Sequence, residues 1–237
     1  MRKGGDFLKK VKWAAAVLTA FLSASLLVSC AGRQSSSSGR KVSSAPVDQT
    51  SGIVKDSPDA QVVHGEMDRR MFNNLSDLED ASDAIVECVG QKNLGQNVGT
   101  YYDPKFKKDL PTVGYTFWGM KVTKVFKGTV KPGDQIPFAQ AYYLWKESDG
   151  VTKRICSTSQ KPVQVGREYL LFLLHDENHN NYVAAGDYQG KYAVPSDELK
   201  TKGMAGTVTQ SDLDMYDDEQ HSEIQSIYKD VVQKYFS

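Results

Sequence analysis

The most apolar run of this chain beyond its N-terminal segment is Glu168-Tyr169-Leu170-Leu171-Phe172-Leu173-Leu174. Five consecutive apolar residues follow Tyr169, which is typical of a β-strand that is buried on both faces. Pro162 and Gly166 precede the run, and a polar segment from His175 to Asn181 follows it. The run therefore predicts a strand in the interior of a β-rich domain.

Further strands are predicted on both sides of this run. They are 84–89, 115–126, 135–145 with a bend at Pro137, 151–157, 182–185 and 191–194. The apolar positions of 115–126 alternate as far as Val122 and then shift to Val125, so we expect a β-bulge near Thr123-Lys124. Five to seven short strands within about 120 residues predict a small antiparallel barrel or sandwich.

Two helices flank the predicted strands. Leu75 to Ala81 is a short helix in which Ser76 and Glu79 have the spacing of a capping box. Residues 217–235 form an amphipathic helix, and its apolar stripe is Ile224, Ile227, Tyr228, Val231 and Tyr235. We expect this stripe to pack on the β-domain; the alternative is a helix that binds a partner.

Three segments in a fixed order carry a resemblance to known proteins. They are 82–87, 122–128 with 131–136, and 165–173 with Gly186 and 189–192. This order resembles a group of extracytoplasmic bacterial proteins and, in outline, the netrin-like domain of tissue inhibitors of metalloproteinases. The resemblance covers about residues 76–195 and implies an OB-type five-stranded barrel at 75–195, with residues 196–237 as a linker and a helix packed on it. The inhibitors chelate the protease zinc through a free N-terminal Cys next to the barrel. No residue here inherits that role, because Cys30 lies about 45 residues before the barrel.

The N-terminus has the pattern of a secretory signal. Five bases and one acid occur within residues 1–12, and 13 of the 16 residues from Trp13 to Val28 are apolar. Sixteen residues are short for a membrane span, which needs about 20. Leu27-Val28-Ser29-Cys30 resembles the lipobox of bacterial lipoproteins. The resemblance implies cleavage after Ser29 and a diacylglycerol on Cys30, which would anchor the chain to the extracytoplasmic face of the cell membrane.

The segment after Cys30 is polar. Residues 33–51 contain seven serines and no apolar periodicity, so we expect residues 30–74 to be a lipidated Cys followed by a disordered tether. The whole sequence has 29 bases and 29 acids, and removal of residues 1–29 leaves 24 bases and 28 acids, a net charge of −4. This charge argues against a nucleic-acid partner.

Two cysteines remain in the predicted barrel, Cys88 and Cys156. Outside the cytoplasm such a pair can form a disulfide. Two separate buried thiols are an equally good interpretation, since free Cys is often a core residue.

The other candidate site residues are histidines and aromatics. His175 and His179 are weak candidates for a metal site, and a solvated loop is the simpler interpretation, because zinc needs at least three placed ligands. The acidic residues Asp212, Asp214, Asp217, Asp218 and Glu219 are expected to form a solvated helix start. Many aromatics fall in the barrel: Tyr101, Tyr102, Tyr115, Trp118, Tyr142, Tyr143 and Trp145. Core packing is the simpler interpretation of most of them. Adjacent strand residues point to opposite faces, so we expect one of Tyr142 and Tyr143 to face outward, and these two with Trp145 are candidates for a binding surface.

The sequence thus predicts a lipid-anchored, non-catalytic binding module of the bacterial envelope. Its partner would be an envelope protein or a glycan, and no cofactor is expected. Two alternatives are an envelope metal-dependent hydrolase, which would need the loop at 175–181 to meet carboxylates, and an inhibitor of a secreted protease by analogy of fold.

Overall fold

The computed structural model describes residues 60–65, 70–196, 210–216 and 221–236. The predicted signal segment, Cys30, most of the predicted tether and residues 217–220 lie outside the described residues. Among the described residues, no helix is both long and apolar enough to span a bilayer.

The protein is mainly β. The strands are β1 (Gln61–His64), β2 (Ala84–Asp103), β3 (Lys108–Lys127), β4 (Gln135–Gln140), β5 (Tyr142–Lys146), β6 (Thr152–Cys156), β7 (Glu168–Asp176), β8 (Asn181–Ala184) and β9 (Lys191–Ala193). The helices are α1 (Leu75–Ala81), α2 (Gln210–Leu213) and α3 (His221–Tyr235), with a 3₁₀ turn at Asp187–Gly190.

Five strands form an OB-like barrel. β2 pairs with β3, β3 with β4, β4 with β8, β8 with β7, and β7 returns to β2 along Ala84–Val89. All of these pairings are antiparallel except β4–β8, which is parallel. β9 pairs with β7 along Tyr169–Leu171, so β8 and β9 share one edge of β7 on either side of the 3₁₀ turn. The predicted barrel is confirmed.

β7 carries two cores because its successive side chains point to opposite faces. Tyr169, Leu171 and Leu173 belong to the cluster inside the barrel, together with buried residues of β2, β3 and β4. Leu170 and Phe172 belong to a second cluster, which the two longer helices cover. The prediction from the apolar run, a strand buried on both faces, is confirmed.

The helices supply the cover of the second cluster. Ile224, Ile227, Tyr228 and Val231 of α3 are all buried there, which confirms that the apolar stripe packs on the barrel. α1 has the predicted bounds, but its N-cap is Asn74, whose side chain accepts a hydrogen bond from Asp77 N. The prediction that Ser76 begins a capping box is therefore wrong, since an Asn two residues earlier already satisfies the first turn.

A separate sheet of three strands has the order β1-β6-β5. The predicted strand 135–145 is broken at Ala141, because Gln135–Gln140 pairs with β3 while Tyr142–Lys146 pairs with β6. β1 pairs in parallel with β6 along Gln61–His64. Within the predicted tether these four residues form a strand, because the edge of β6 gives their backbone groups hydrogen-bond partners.

β2 and β3 extend far beyond the barrel as a two-stranded arm. Each strand has 20 residues, but β7 pairs only with Ala84–Val89 and β4 only with Thr116–Lys121. Within the pairing, Glu87 lies opposite Lys124 and Cys88 opposite Val122, so Thr123 is an extra residue. The bulge predicted near Thr123-Lys124 is confirmed, and the shift lets apolar residues on both sides of it reach the core.

Candidate functional site

The two cysteines lie in different sheets and are not bonded to each other. Cys88 is in β2 inside the barrel, and its Sγ lies 3.7 Å from the carbonyl oxygen of Tyr169. Cys156 is a buried residue of β6 and lies opposite Tyr142. Burial is the main cause that raises the pKa of the Cys88 thiol, so this side chain is an inert core group in the structure.

The predicted aromatic surface on β5 is buried. Tyr142 is 2% exposed and Tyr143 is 4% exposed, so the expectation that one ring faces outward is wrong. The reason is that β5 is covered on both faces: Tyr142 Oη accepts a hydrogen bond from Trp118 Nε1, and the Tyr143 ring packs against Gly114 of the arm. Trp145 is half-buried.

The two histidines have separate partners. The His175 ring lies 4.8 Å from the ring of Tyr182, and His179 Nδ1 lies 2.7 Å from Asp176 Oδ2. Among the described residues, no group of three His, Cys, Asp or Glu is placed to hold a metal ion. The structure therefore brings neither histidine into a ligand set.

The acidic segment near α2 is not fully solvated as predicted. Asp214 is 1% exposed, and its carboxylate contacts Lys191 Nζ at 2.6 Å and Arg167 NH1 at 2.7 Å. The Lys191 side chain is fully buried, and its Nζ also lies 4.8 Å from the ring centre of Tyr169. This ion pair fastens the segment of α2 to the barrel.

The described residues form a cleft of about 440 Å³ between the arm and the barrel. Its lining residues are Asn97, Gly99, Val113, Tyr115, Phe117, Ala139, Asp176, His179, Asn181 and Val183. They come from β2, β3, β4, β7, β8 and the loop between β7 and β8. A cleft of this size with a mostly apolar lining and a few polar groups has the properties of a small-molecule site.

The β3 strand contributes one of its two faces to the cleft, along the arm and the adjoining part of the barrel. Val113, Tyr115 and Phe117 alternate along β3 and line the cleft. Between them, Gly114 packs on Tyr143 and Thr116 Oγ1 donates to the carbonyl oxygen of Tyr142. The sequence places these two sets on opposite faces because strand side chains alternate. The three-stranded sheet thus supports the arm from behind.

Gln96 strengthens that support. Its side chain accepts a hydrogen bond from Leu144 N and donates one to Leu144 O, both at 2.9 Å. Its neighbour Asn97 lies opposite Tyr115 and lines the cleft. The arm is therefore held in place by β5 while its other face stays available to the cleft.

The loop between β7 and β8 forms the opposite wall. Asp176 Oδ1 accepts hydrogen bonds from the backbone N–H groups of Asn178 and His179, while Oδ2 contacts His179 Nδ1. The hydrogen bond with His179 lowers the pKa of Asp176 below its ordinary value of 3.8. The loop reverses at Asn180, whose φ of 50° is a conformation that Asn tolerates better than most residues.

Asn181 lines the cleft and has one side-chain atom without a hydrogen-bond partner among the described residues. It is 6% exposed, and its Oδ1 atom accepts no hydrogen bond from any described residue. An unsatisfied buried acceptor costs about 1–3 kcal/mol. Of the cleft residues, the sequence analysis had singled out only Tyr115 and His179; the others come from separate segments that only the folded barrel brings together.

A comparison with models of known protein families finds no match for this chain, and a comparison with curated proteins finds none either.

Proposed function

We propose that this chain is a lipid-anchored binding module on the extracytoplasmic face of a bacterial cell membrane, and that the cleft is its binding site. The anchor is supported by the sequence of residues 1–30 alone. The binding role is supported above all by the cleft itself, which has a volume of about 440 Å³ and combines apolar side chains of β3, β4 and β8 with the polar side chains of Asn97, Asp176, His179 and Asn181.

The cleft favours binding over covalent chemistry. Asp176 and His179 form the one acid–base pair among the described lining residues, and that lining includes no serine, cysteine or lysine to act as a nucleophile. The side chain of His179 is also 73% exposed, so the pair is accessible to water and is not enclosed in a site that excludes solvent. A module that captures a ligand at the envelope agrees with these features.

Site-specific photocrosslinking tests this proposal. Val113 is 47% exposed and lines the cleft, so a photoreactive amino acid introduced there into the full chain should give a discrete adduct in intact cells. The matched control is the same label at Val165, which is 67% exposed and lies in a turn that does not line the cleft. Equal adducts at both positions, or none at Val113, would contradict the proposal.

The anchor needs its own test. Cells that express the chain and take up a labelled fatty acid should transfer the label to the wild-type protein and not to the Cys30→Ser variant. Label that persists in the variant would rule out Cys30 as the lipidated residue.

A further inference from the structure

The outer end of the arm carries most of the exposed aromatic side chains. We define the arm tip as residues 101–110, which form the last paired positions of β2 and β3 and the turn between them. Tyr101 is 48% exposed, Tyr102 is 60% exposed and Phe106 is 57% exposed, and these are three of the four exposed aromatic side chains among the described residues. An exposed apolar patch of this kind marks a contact surface for a protein or a membrane.

The turn of the arm tip presents Phe106 among cations. Asp103 Oδ1 accepts hydrogen bonds from Lys105 N at 2.8 Å and from Phe106 N at 3.2 Å, which fixes the turn and satisfies two backbone donors. Lys105 Nζ lies 5.4 Å from the centre of the Phe106 ring. With Lys107 and Lys108, the arm tip has three bases against two acids. Aromatic side chains next to lysines are suited to a membrane–water interface, where the rings lie at the level of the headgroups and the ammonium groups extend to the phosphates.

The first strand begins beside the arm tip. β1 runs parallel to β6, and Gln61 lies opposite Lys153, next to the turn that joins β5 to β6. Glu147 of that turn contacts Lys153 Nζ at 3.3 Å and Lys108 Nζ at 3.9 Å. One carboxylate therefore connects the start of β1 to the arm tip.

The position of β1 determines the side from which the proposed anchor is reached. Residues 31–60 separate Gln61 from Cys30, and a chain of 30 residues spans at most about 100 Å even when it is fully extended. This segment enters β1 at the end of the sheet where the arm tip lies. A membrane that holds Cys30 can therefore contact the arm tip without the chain having to pass around the barrel.

A strand of a partner protein is a less suitable occupant of the arm. β2 pairs with β7 only as far as Val89, so its outer edge beyond that point has no partner strand among the described residues. The ladder of the arm is irregular, however, between Asn93 and Gly95 and again between Val98 and Thr100. Such irregularities are a common protection of a strand edge against pairing with another chain.

We infer, on the basis of the proposed anchor on Cys30, that the arm tip inserts Tyr101, Tyr102 and Phe106 into the interfacial region of the bilayer that holds this anchor, with Lys105 and Lys107 at the level of the lipid phosphates. The arm is then a second membrane contact. It holds the cleft between the arm and the barrel at a fixed height above the membrane, whereas a tether alone allows a range of distances.

The test is fluorescence quenching by lipids. The chain is purified from the membranes of cells that express it and is reconstituted into vesicles of phosphatidylethanolamine and phosphatidylglycerol. Phe106→Cys carries an environment-sensitive nitrobenzoxadiazole label, and the wild type treated with the same reagent gives the background from Cys88 and Cys156, which are buried. Spin-labelled lipid should lower the fluorescence at position 106 by at least about half, because the label lies among the headgroups.

Val165→Cys with the same label is the matched control. Val165 is 67% exposed, and its neighbour Gly166 donates a hydrogen bond to Gly90 O at the base of the arm, so spin-labelled lipid should not quench a label there. Equal quenching at both positions, or none at position 106, would overturn the inference.

A further variant tests the aromatic side chains. Tyr101→Ser combined with Tyr102→Ser should weaken the quenching at position 106, and its Tm should stay within about 2 °C of the wild-type value because both side chains are exposed. Vesicles of phosphatidylcholine alone should still quench the label of the parent variant. Unchanged quenching in the double variant, or quenching only with phosphatidylglycerol, would assign the contact to the lysines and overturn the role of the aromatic side chains.

Two more measurements separate this inference from the proposed function. A chain that carries the labelled fatty acid and floats with the vesicles but is not quenched at position 106 would overturn the inference and leave the anchor and the cleft standing. A chain without the fatty acid would refute the anchor and this inference with it. A photoreactive amino acid at position 106 that gives a discrete protein adduct in cells, and no lipid adduct, would assign the arm tip to a protein partner and overturn the inference.

Discussion

Removal of the buried negative charge of Asp214 should lower the free energy of unfolding more than most single substitutions in this protein. In the Asp214→Asn variant, Lys191 keeps its charge with 0% exposure but loses the carboxylate at 2.6 Å. Loss of one partner of a buried ion pair costs about 3–5 kcal/mol. The backbone is not the cause of this loss, since Asp214 has a φ of 58° and Asn tolerates that conformation.

The measurement is urea denaturation of the wild type and of the variant. For a slope of about 2 kcal/mol/M, the expected loss lowers the midpoint by about 1.5–2.5 M. Asp230→Asn, an exposed Asp on α3, is the matched control and should change the free energy of unfolding by less than about 0.5 kcal/mol.

A double variant isolates the charge. Asp214→Asn combined with Lys191→Met removes both buried charges, and Arg167, whose side chain is 32% exposed, can turn to solvent. Replacement of a whole buried pair is often neutral, so the double variant should regain most of the lost stability. A single variant that loses less than about 1 kcal/mol, or a double variant no more stable than the single one, would refute the reasoning.

The pH dependence gives a second check on the same pair. Burial lowers the pKa of Lys191 below its ordinary value of 10.5, and Asp214 opposes this shift. Without Asp214 the pKa falls further, so between the lowered pKa and 10.5 the unfolded state binds more protons than the native state. Stability then rises with pH in this window. Since the pKa of Lys191 is also below 10.5 in the wild type, the deficit of Asp214→Asn should shrink as the pH rises from the pKa of Lys191 in the variant to its higher pKa in the wild type, and stay constant above that.

Three further predictions concern the arm, the loop and the barrel core. Gly114→Ala would place a Cβ atom 2.5 Å from Cδ1 of the Tyr143 ring, and overpacking of this kind costs about 1–3 kcal/mol in thermal unfolding; an unchanged Tm would show that β5 does not hold the arm. The pKa of Asp176, measured by carboxyl NMR, should lie below 3.8 and should rise in His179→Gln, so stability from this pair is present above pH 3.8 and is lost as pH falls through the lowered pKa; an equal pKa in both proteins would rule out the pair. Cys88, with 0% exposure and a raised pKa, should resist maleimide in the native protein and react in denaturant, as mass spectrometry would show; labelling of the native thiol would contradict its burial.

The sequence predicted those parts of the fold that local patterns encode. The apolar run at 168–174, the register shift at Thr123 and the stripe of the last helix all depend on the periodicity of apolar residues. The arm could not be predicted, because Gln91 to Asp103 is mostly polar and interrupted by glycines, and its strand is stabilised by pairing with β3. The break at Ala141 could not be predicted either, since apolar residues continue on both sides of it.

The site was harder to predict than the fold for a physical reason. The sequence analysis favoured aromatics on β5 because adjacent strand residues face opposite sides. That argument holds only for a strand with one solvated face. Both faces of β5 are covered, since Tyr142 and Tyr143 are each buried against side chains or backbone of β3. The cleft depends instead on Asn181 and on residues of the arm that are more than 60 positions earlier in the chain, so no local pattern links them.

Buried polar groups among the described residues are either paired with another group or left without a hydrogen-bond partner, and the two cases have different energetic consequences. Lys191 and Asp214 satisfy each other at 2.6 Å, so their burial serves the attachment of the C-terminal segment. The hydroxyl groups of Tyr192 and Tyr228 also lack hydrogen-bond partners among the described residues, but both tyrosines lie in the packed cluster beneath α3, where their rings contribute apolar contacts that offset the cost. Asn181 has no such compensation, because a carboxamide contributes little apolar contact; the residue lines the cleft, but its Oδ1 atom is itself buried. The unsatisfied Oδ1 atom therefore costs about 1–3 kcal/mol without a structural return, and replacement of Asn181 by an apolar residue of similar size should not lower the stability of the protein.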